Sequence, residues 1–207
     1  MRWYRQAPGK IMNGEVDWDT HDLRLTLHSA SYTPDLDAHD YVADLSNELA
    51  TGGGYTNGGL AVAAKSITTT LGSAWGVQRA NATAYAVDDV VRPAAANGHL
   101  YRAVAAGTSG GSVPAFPTNL GETVTDGGVT WQNVGRAITV LGFTNPTWAA
   151  ATFGPARYAV LSDRTPVGAG AQPLLGLTDF GSDRTGGGGP FDITMHAALR
   201  ALHILIP

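Results

Sequence analysis

The chain has 207 residues, no cysteine, a formal net charge of −4 and only 14% charged side chains, against about 25% in an average domain. Without cysteine, neither a disulfide nor a cysteine-bound metal can stabilise it, and the scattered basic residues argue against nucleic acid as a partner. No apolar run approaches the roughly 20 residues of a membrane helix, and no apolar stretch follows the basic N-terminus as in a signal peptide, so no membrane is expected as a partner.

Twenty-seven glycines and 11 prolines accompany this low charge, which leaves few means of staying soluble alone at high concentration. Two readings accord with the composition: a surface covered in an assembly, or a neutral β surface rich in Thr, Ser, Asn and Gly.

In chain order, Trp3 to Gly14 holds apolar residues without a clear period and ends on Asn13-Gly14, a turn signal. An acidic patch follows (Glu15, Asp17, Asp19, Asp22). Leu23, Leu25 and Leu27 then alternate with Arg24, Thr26 and His28, the pattern of a strand with one buried face. Tyr41, Leu45 and Leu49 are spaced by four and predict a short helix, with Thr33 or Asp35 as its cap. Glycines from Gly52 to Gly59 break any helix, and Leu60 to Leu71 becomes β-prone toward its end, where Ile and Thr suit a pleated sheet.

From Thr83 to Gly135 short apolar strands alternate with dense turn signals, like a complete β module. The longer pattern resumes at Ala137-Ile-Thr-Val-Leu-Gly-Phe, then Ala156 to Leu161, Pro173 to Phe180, and Phe191, Ile193 and Met195. The stretch from Ala198 to Ile206 permits a strand or a helix through Leu199, Leu202 and His203. Short strands separated by Gly, Pro and Asp clusters favour an all-β protein, an antiparallel β-sandwich or jelly roll with at most one short helix. Residues 1–78 plus 136–207 form its core domain, and residues 79–135 form a small β module projecting from a loop, where insertion cuts few contacts.

Five segments resemble, in order, a family of tailed-phage virion structural proteins. They are Leu23 to Leu27, Ser31 to Asp35 (S-Y-T-P-D), Gly52 to Gly59, Ala156 to Val160 (A-R-Y-A-V) and Pro173 to Gly181. The member type identified is a head decoration, or cement, protein. The resemblance implies a virion location on the capsid exterior after synthesis in the host cytoplasm, with the major capsid protein and further copies of itself as partners.

The inserted module is similar to a small β repeat of phage tail fibres, with a distant likeness to chitin-binding modules. The likeness rests on Thr83, Tyr85, Asp89 and Val91; on Gly98, Tyr101, Arg102 and Ala103; on Gly107 to Gly110; and on Asp126, Gly127, Val129, Thr130 and Trp131. Asp88 stands where glycine commonly precedes the second Asp.

Aromatic faces stack on sugars, so Tyr85, Tyr101, Phe116 and Trp131 are candidates for a platform that binds host surface glycan. The same four residues suit the core of a module this small, since small domains bury little surface. Trp3, Tyr4 and Arg5 have the aromatic and Arg character of interface anchors and are candidates for capsid contact; a terminus packed on its own domain is the other reading.

The histidines at 21, 28, 39, 99, 196 and 203 lack paired ligand spacing for zinc. The carboxylates at 15, 17, 19, 22, 35, 37 and 40 lack the glycine and closing glutamate of an EF-hand. No G-x-S-x-G elbow occurs, and the glycines after Asp183 lack a phosphate-loop lysine. No catalytic residue, metal or cofactor is therefore expected. Capsid decoration is the leading reading; a tail-fibre, spike or baseplate component that binds host glycan is the alternative.

Overall fold

In a computed structural model of the chain, residues 1–166 and 168–194 and the strand at 203–206 are described. The chain is all-β, with strands at β1 (Arg2–Trp3), β2 (Leu23–His28), β3 (Leu60–Ala61), β4 (Ser66–Leu71), β5 (Ala84–Tyr85), β6 (Val90–Val91), β7 (Leu100–Ala105) and β8 (Gly107–Thr108). The second half supplies β9 (Thr123–Asp126), β10 (Val129–Gly135), β11 (Ala137–Gly142), β12 (Thr147–Trp148), β13 (Ala156–Asp163), β14 (Leu174–Arg184), β15 (Phe191–Asp192) and β16 (His203–Ile206). Met195, His196, Ala198, Leu199 and Leu202 lie outside the described residues.

Among the described residues the chain divides into two compact units, one from 1–67 with 141–194 and one from 68–140, to which 203–206 also belongs. The second unit is longer at both ends than the module read at 79–135, and both boundaries fall within strands, β4 and β11.

The first unit is built on an antiparallel sheet in the order β1-β14-β13-β2-β3. Leu25 lies opposite Leu161, Leu27 opposite Ala159, and Val160 opposite Leu177. Strand β2 departs from the expected half-buried pattern, because Thr26 and His28 are as buried as the leucines. These two polar side chains satisfy each other: Thr26 Oγ1 lies 2.9 Å from His28 Nε2, and His28 Nδ1 donates to the Ser46 carbonyl at 2.7 Å. A neutral, hydrogen-bonded imidazole is therefore tolerated in the core, where a charged one would be costly. Tyr4, Tyr32, Val160, Leu174 and Leu177 form one cluster of this core. Tyr55, Trp148, Phe153 and Phe191 form an aromatic chain of edge contacts, with centroids 5.1 to 5.8 Å apart between Tyr55, Phe153 and its two neighbours.

The helix expected through Tyr41, Leu45 and Leu49 is absent. Only Val42–Asp44 makes a single 3₁₀ turn. Here sheet-like bonds win over i,i+4 spacing: Leu49 N–H donates to Leu27 O at 2.9 Å, Tyr41 bridges Pro173, and Glu48 bridges His28. The cap signal does act locally, since Asp35 Oδ1 accepts from the amides of Asp37 and Ala38 at 2.9 Å each. The short α-helix lies instead at α1 (Ala7–Met12), with Pro8 in its first turn, where no amide is missed, and Asn13-Gly14 at its end.

The second unit holds an antiparallel sheet in the order β6-β7-β10-β9, together with a three-stranded sheet β16-β11-β4 and the pair β5-β8. Alternation along β6 and β7 sends neighbours to opposite faces. Val91 and Tyr101 enter one cluster with Ala103, Val129 and Trp131, while Val90 and Leu100 join Val134, Trp75 and Val140 in another.

Candidate functional site

The four aromatic residues of the expected platform do come together, but as the core of the second unit. Trp131 and Tyr101 are fully buried, and Tyr85 and Phe116 are half-buried against them. Tyr85 meets Trp131 edge-on at 4.9 Å, and Tyr101 packs on Phe116 at 4.3 Å. Both tyrosine hydroxyls are spent inside the fold: Tyr85 Oη accepts from the Ala80 amide at 2.8 Å, and Tyr101 Oη donates to Pro117 O at 2.7 Å. For Tyr101 and Trp131 the reading as a glycan platform is corrected by their burial, since a sugar needs an open π face. In a unit this small the rings are the main apolar area available to bury.

Bonded to Trp131 of this core lies a buried ion pair that sequence reasoning missed. Arg79 and Asp126 have almost no exposed side-chain surface. Arg79 Nε and Nη2 donate to the two carboxylate oxygens at 2.8 and 2.7 Å, a side-on bidentate pair. Asp126 also accepts from the Trp131 indole N–H and the Gly110 amide, both at 2.9 Å. Arg79 spends its remaining donors on the carbonyls of Gly110 and Ser112 and on Asn81 Oδ1. Burial opposes the Asp126 carboxylate, but Arg79, Trp131 and Gly110 outweigh it and hold its pKa below the usual range. Asp126 was legible as the residue before the hairpin glycines, and Gly127 needs its positive φ of 65°, since a Cβ there would meet Thr108 O at 2.6 Å. Arg79 lies 47 residues away in sequence, and nothing local marks it.

Asp88 sits at φ 73°, in the left-handed region. Glycine adopts that region freely and Asp less so.

The N-terminal candidates are split by the sheet. Trp3 pairs with Gly176 in β1 and is half-buried, its ring tilted against Trp18 with centroids 6.4 Å apart. Tyr4 is fully buried, and its Oη lies 3.0 Å from that of Tyr32, which in turn lies 3.0 Å from His39 Nδ1. Burial, then the Tyr32 contact, raises the Tyr4 pKa far above its ordinary value. Tyr4 is thus a core residue and is withdrawn from the set of contact candidates. Arg5 is exposed, and its amide donates to Leu36 O at 2.9 Å.

Beside this strand a groove of about 360 Å³ is lined by Arg2, Leu36, Asp37, Tyr158 and Asp179 among others. Arg157 donates to Asp179 at 2.7 Å and lowers its pKa. The arrangement offers carboxylates and a half-buried ring to a polar or basic partner, and no further chemistry follows from it.

Elsewhere in the first unit, the buried Asp163 carboxylate lies 2.6 Å from His21 Nδ1 and accepts from the Thr165 amide at 2.9 Å, which ties the 17–22 loop to β13. The segments carrying the virion-family resemblance prove to be framework. Tyr55 of the glycine-rich turn donates from Oη to Glu48 at 2.6 Å and accepts there from the Leu27 amide. In the same turn, Gly59 is at φ 76°, where a Cβ would collide with the Leu25 carbonyl. Comparison with protein-family models, with curated proteins and with solved structures finds no match to the chain.

Proposed function

We propose that the chain is a structural protein of a tailed-phage virion, a decoration protein that binds the outer capsid surface, reinforces it and displays the second unit outward. A jelly-roll-like packing of the larger unit belongs to this reading. The observation that carries it is a β unit, formed mainly by residues 68–140, that stands in sequence between the two halves of another. Such an arrangement holds a module at a surface without altering its carrier. Two further features support it: the ordered segments at 23–27, 31–35, 52–59, 156–160 and 173–181, and a surface sparing in charge. Binding to the major capsid protein sums many weak contacts over a repeating lattice, so it needs neither a cofactor nor a catalytic group.

The test is the copy number per purified virion, by quantitative mass spectrometry against the major capsid protein. A ratio near one per capsid subunit, or a simple fraction of it, is expected. A handful of copies per particle would overturn capsid decoration in favour of a tail or vertex location. Co-sedimentation with capsids lacking the protein is the complementary measurement.

A further inference from the structure

The sheet edges of this protein are not treated alike. In the five-stranded sheet the outer strands β1 and β3 have two residues each, and β1 carries Arg2. In the four-stranded sheet the outer strands are short: β6 has two residues and β9 four, the latter preceded by Glu122. Short or charged edges of this kind resist pairing with another chain. Strand β4 differs from these edges. It is the outer strand of the sheet β16-β11-β4, it has six residues, and no charged side chain occurs from Ser66 to Gln78. Ile67 is 51% exposed and Leu71 62% exposed, with Thr68 and Thr69 exposed between them.

The sequence of this edge is self-complementary. Ile67-Thr68-Thr69-Thr70-Leu71 reads the same in residue type from either end. In an antiparallel pair about Thr69, Ile67 faces Leu71, Thr68 faces Thr70, and Thr69 faces its own copy. Apolar and Thr–Thr cross-strand pairs are both favourable, and with no charge in the strand no like charges are brought together. We propose that β4 is a self-association edge, pairing antiparallel with β4 of a second copy across a two-fold axis at Thr69. The interface is isologous, as a closed dimer requires, and its backbone bonds extend each three-stranded sheet by strand addition. This proposal does not rest on the virion reading.

The experiment is sedimentation velocity on the full chain over a range of concentrations. A concentration-dependent dimer is expected from the natural sequence. Ile67→Lys with Leu71→Lys sets like charges face to face at both ends and weakens the dimer by roughly tenfold or more. Ile67→Lys with Leu71→Glu sets opposite charges face to face in the antiparallel register and restores it. A chain that stays monomeric overturns the proposal. So does a dimer indifferent to the double lysine variant, or one not regained by the Lys/Glu variant while circular dichroism reports an unchanged fold. Hydrogen exchange on the unmodified chain gives an independent reading: protection of the 68–70 amides rises with concentration, and protection that does not change overturns the pairing.

Discussion

The two units bury their polar groups by different means. In the first, most are neutral groups that satisfy one another beside a broad sheet, Tyr4 with Tyr32, Tyr32 with His39, His28 with Thr26 and Ser46, while the buried Asp163 carboxylate is held by His21 and the Thr165 amide. In the second, a charged pair, Arg79 and Asp126, sits beside Trp131 and holds the segments around Asn81, Gly110 and Ser112. A large sheet accumulates enough apolar burial to fix its own register. A unit of this size has little apolar surface, and an ion pair whose arginine also bonds Asn81, Gly110 and Ser112 fixes the loops that a larger core would hold by packing.

The sharpest break in this comparison is Asp126→Ala. Removing one partner of a buried pair costs about 3–5 kcal/mol, roughly the whole stability of a small domain. Hydrogen exchange is expected to show loss of protection over 129–135 with protection over 156–163 retained. Equal loss in both units would mean that they do not fold separately.

Trp131→Phe keeps most of the ring and removes one donor to Asp126, for an expected loss of about 1–3 kcal/mol in the second unit. Tyr4→Phe does the parallel thing in the first unit at about 1 kcal/mol, because Tyr32 keeps His39 as a partner. Chemical denaturation read by unit-specific exchange distinguishes the two.

Acid separates the units without mutation. Burial lowers the His28 pKa, partly offset by its bond to Ser46, so the folded state binds less proton there than the unfolded chain. The first unit therefore loses stability as pH falls below about 6.5, the ordinary histidine value, and goes on losing it until folded His28 takes up its proton. Asp126 is also depressed, but its contribution stays intact until pH falls below about 3.9 and is lost as the folded pKa is passed. Melting followed from pH 7 to pH 5 is expected to lower protection in the first unit and leave the second unchanged. Coincident loss would show that His28 does not govern the difference.

The smallest effect is expected at Asp88→Gly. It relieves a positive φ at the expense of an exposed pair with Arg102 at 3.7 Å, and such pairs contribute about 0–1 kcal/mol. A gain of at most about 1 kcal/mol in the second unit is expected, read as a small rise in its midpoint. A loss would mean that the carboxylate has a role beyond this pair.

What the sequence determined by itself is local. Alternation marked β2, apolar stretches marked the segments that become β13 and β14, and β-branched residues marked the end of the stretch that becomes β4. Asn13-Gly14 and Asp126-Gly127 marked turns because glycine and asparagine relieve a steric cost that depends only on the backbone. The motif residues Tyr32, Tyr55, Tyr101 and Trp131 were visible as important, but their role was not, because an aromatic ring reads the same in a core as on a binding face. The tertiary structure decided everything that depends on distant partners: that Leu49 bonds to Leu27 and forms no helix, that Thr26 and His28 are buried together, that Tyr4 ends on Tyr32, and that Arg79 reaches Asp126. Each is a hydrogen bond or ion pair whose two ends lie on different strands or loops, or a burial set by such a neighbour. Periodicity along one strand carries no information about the other end.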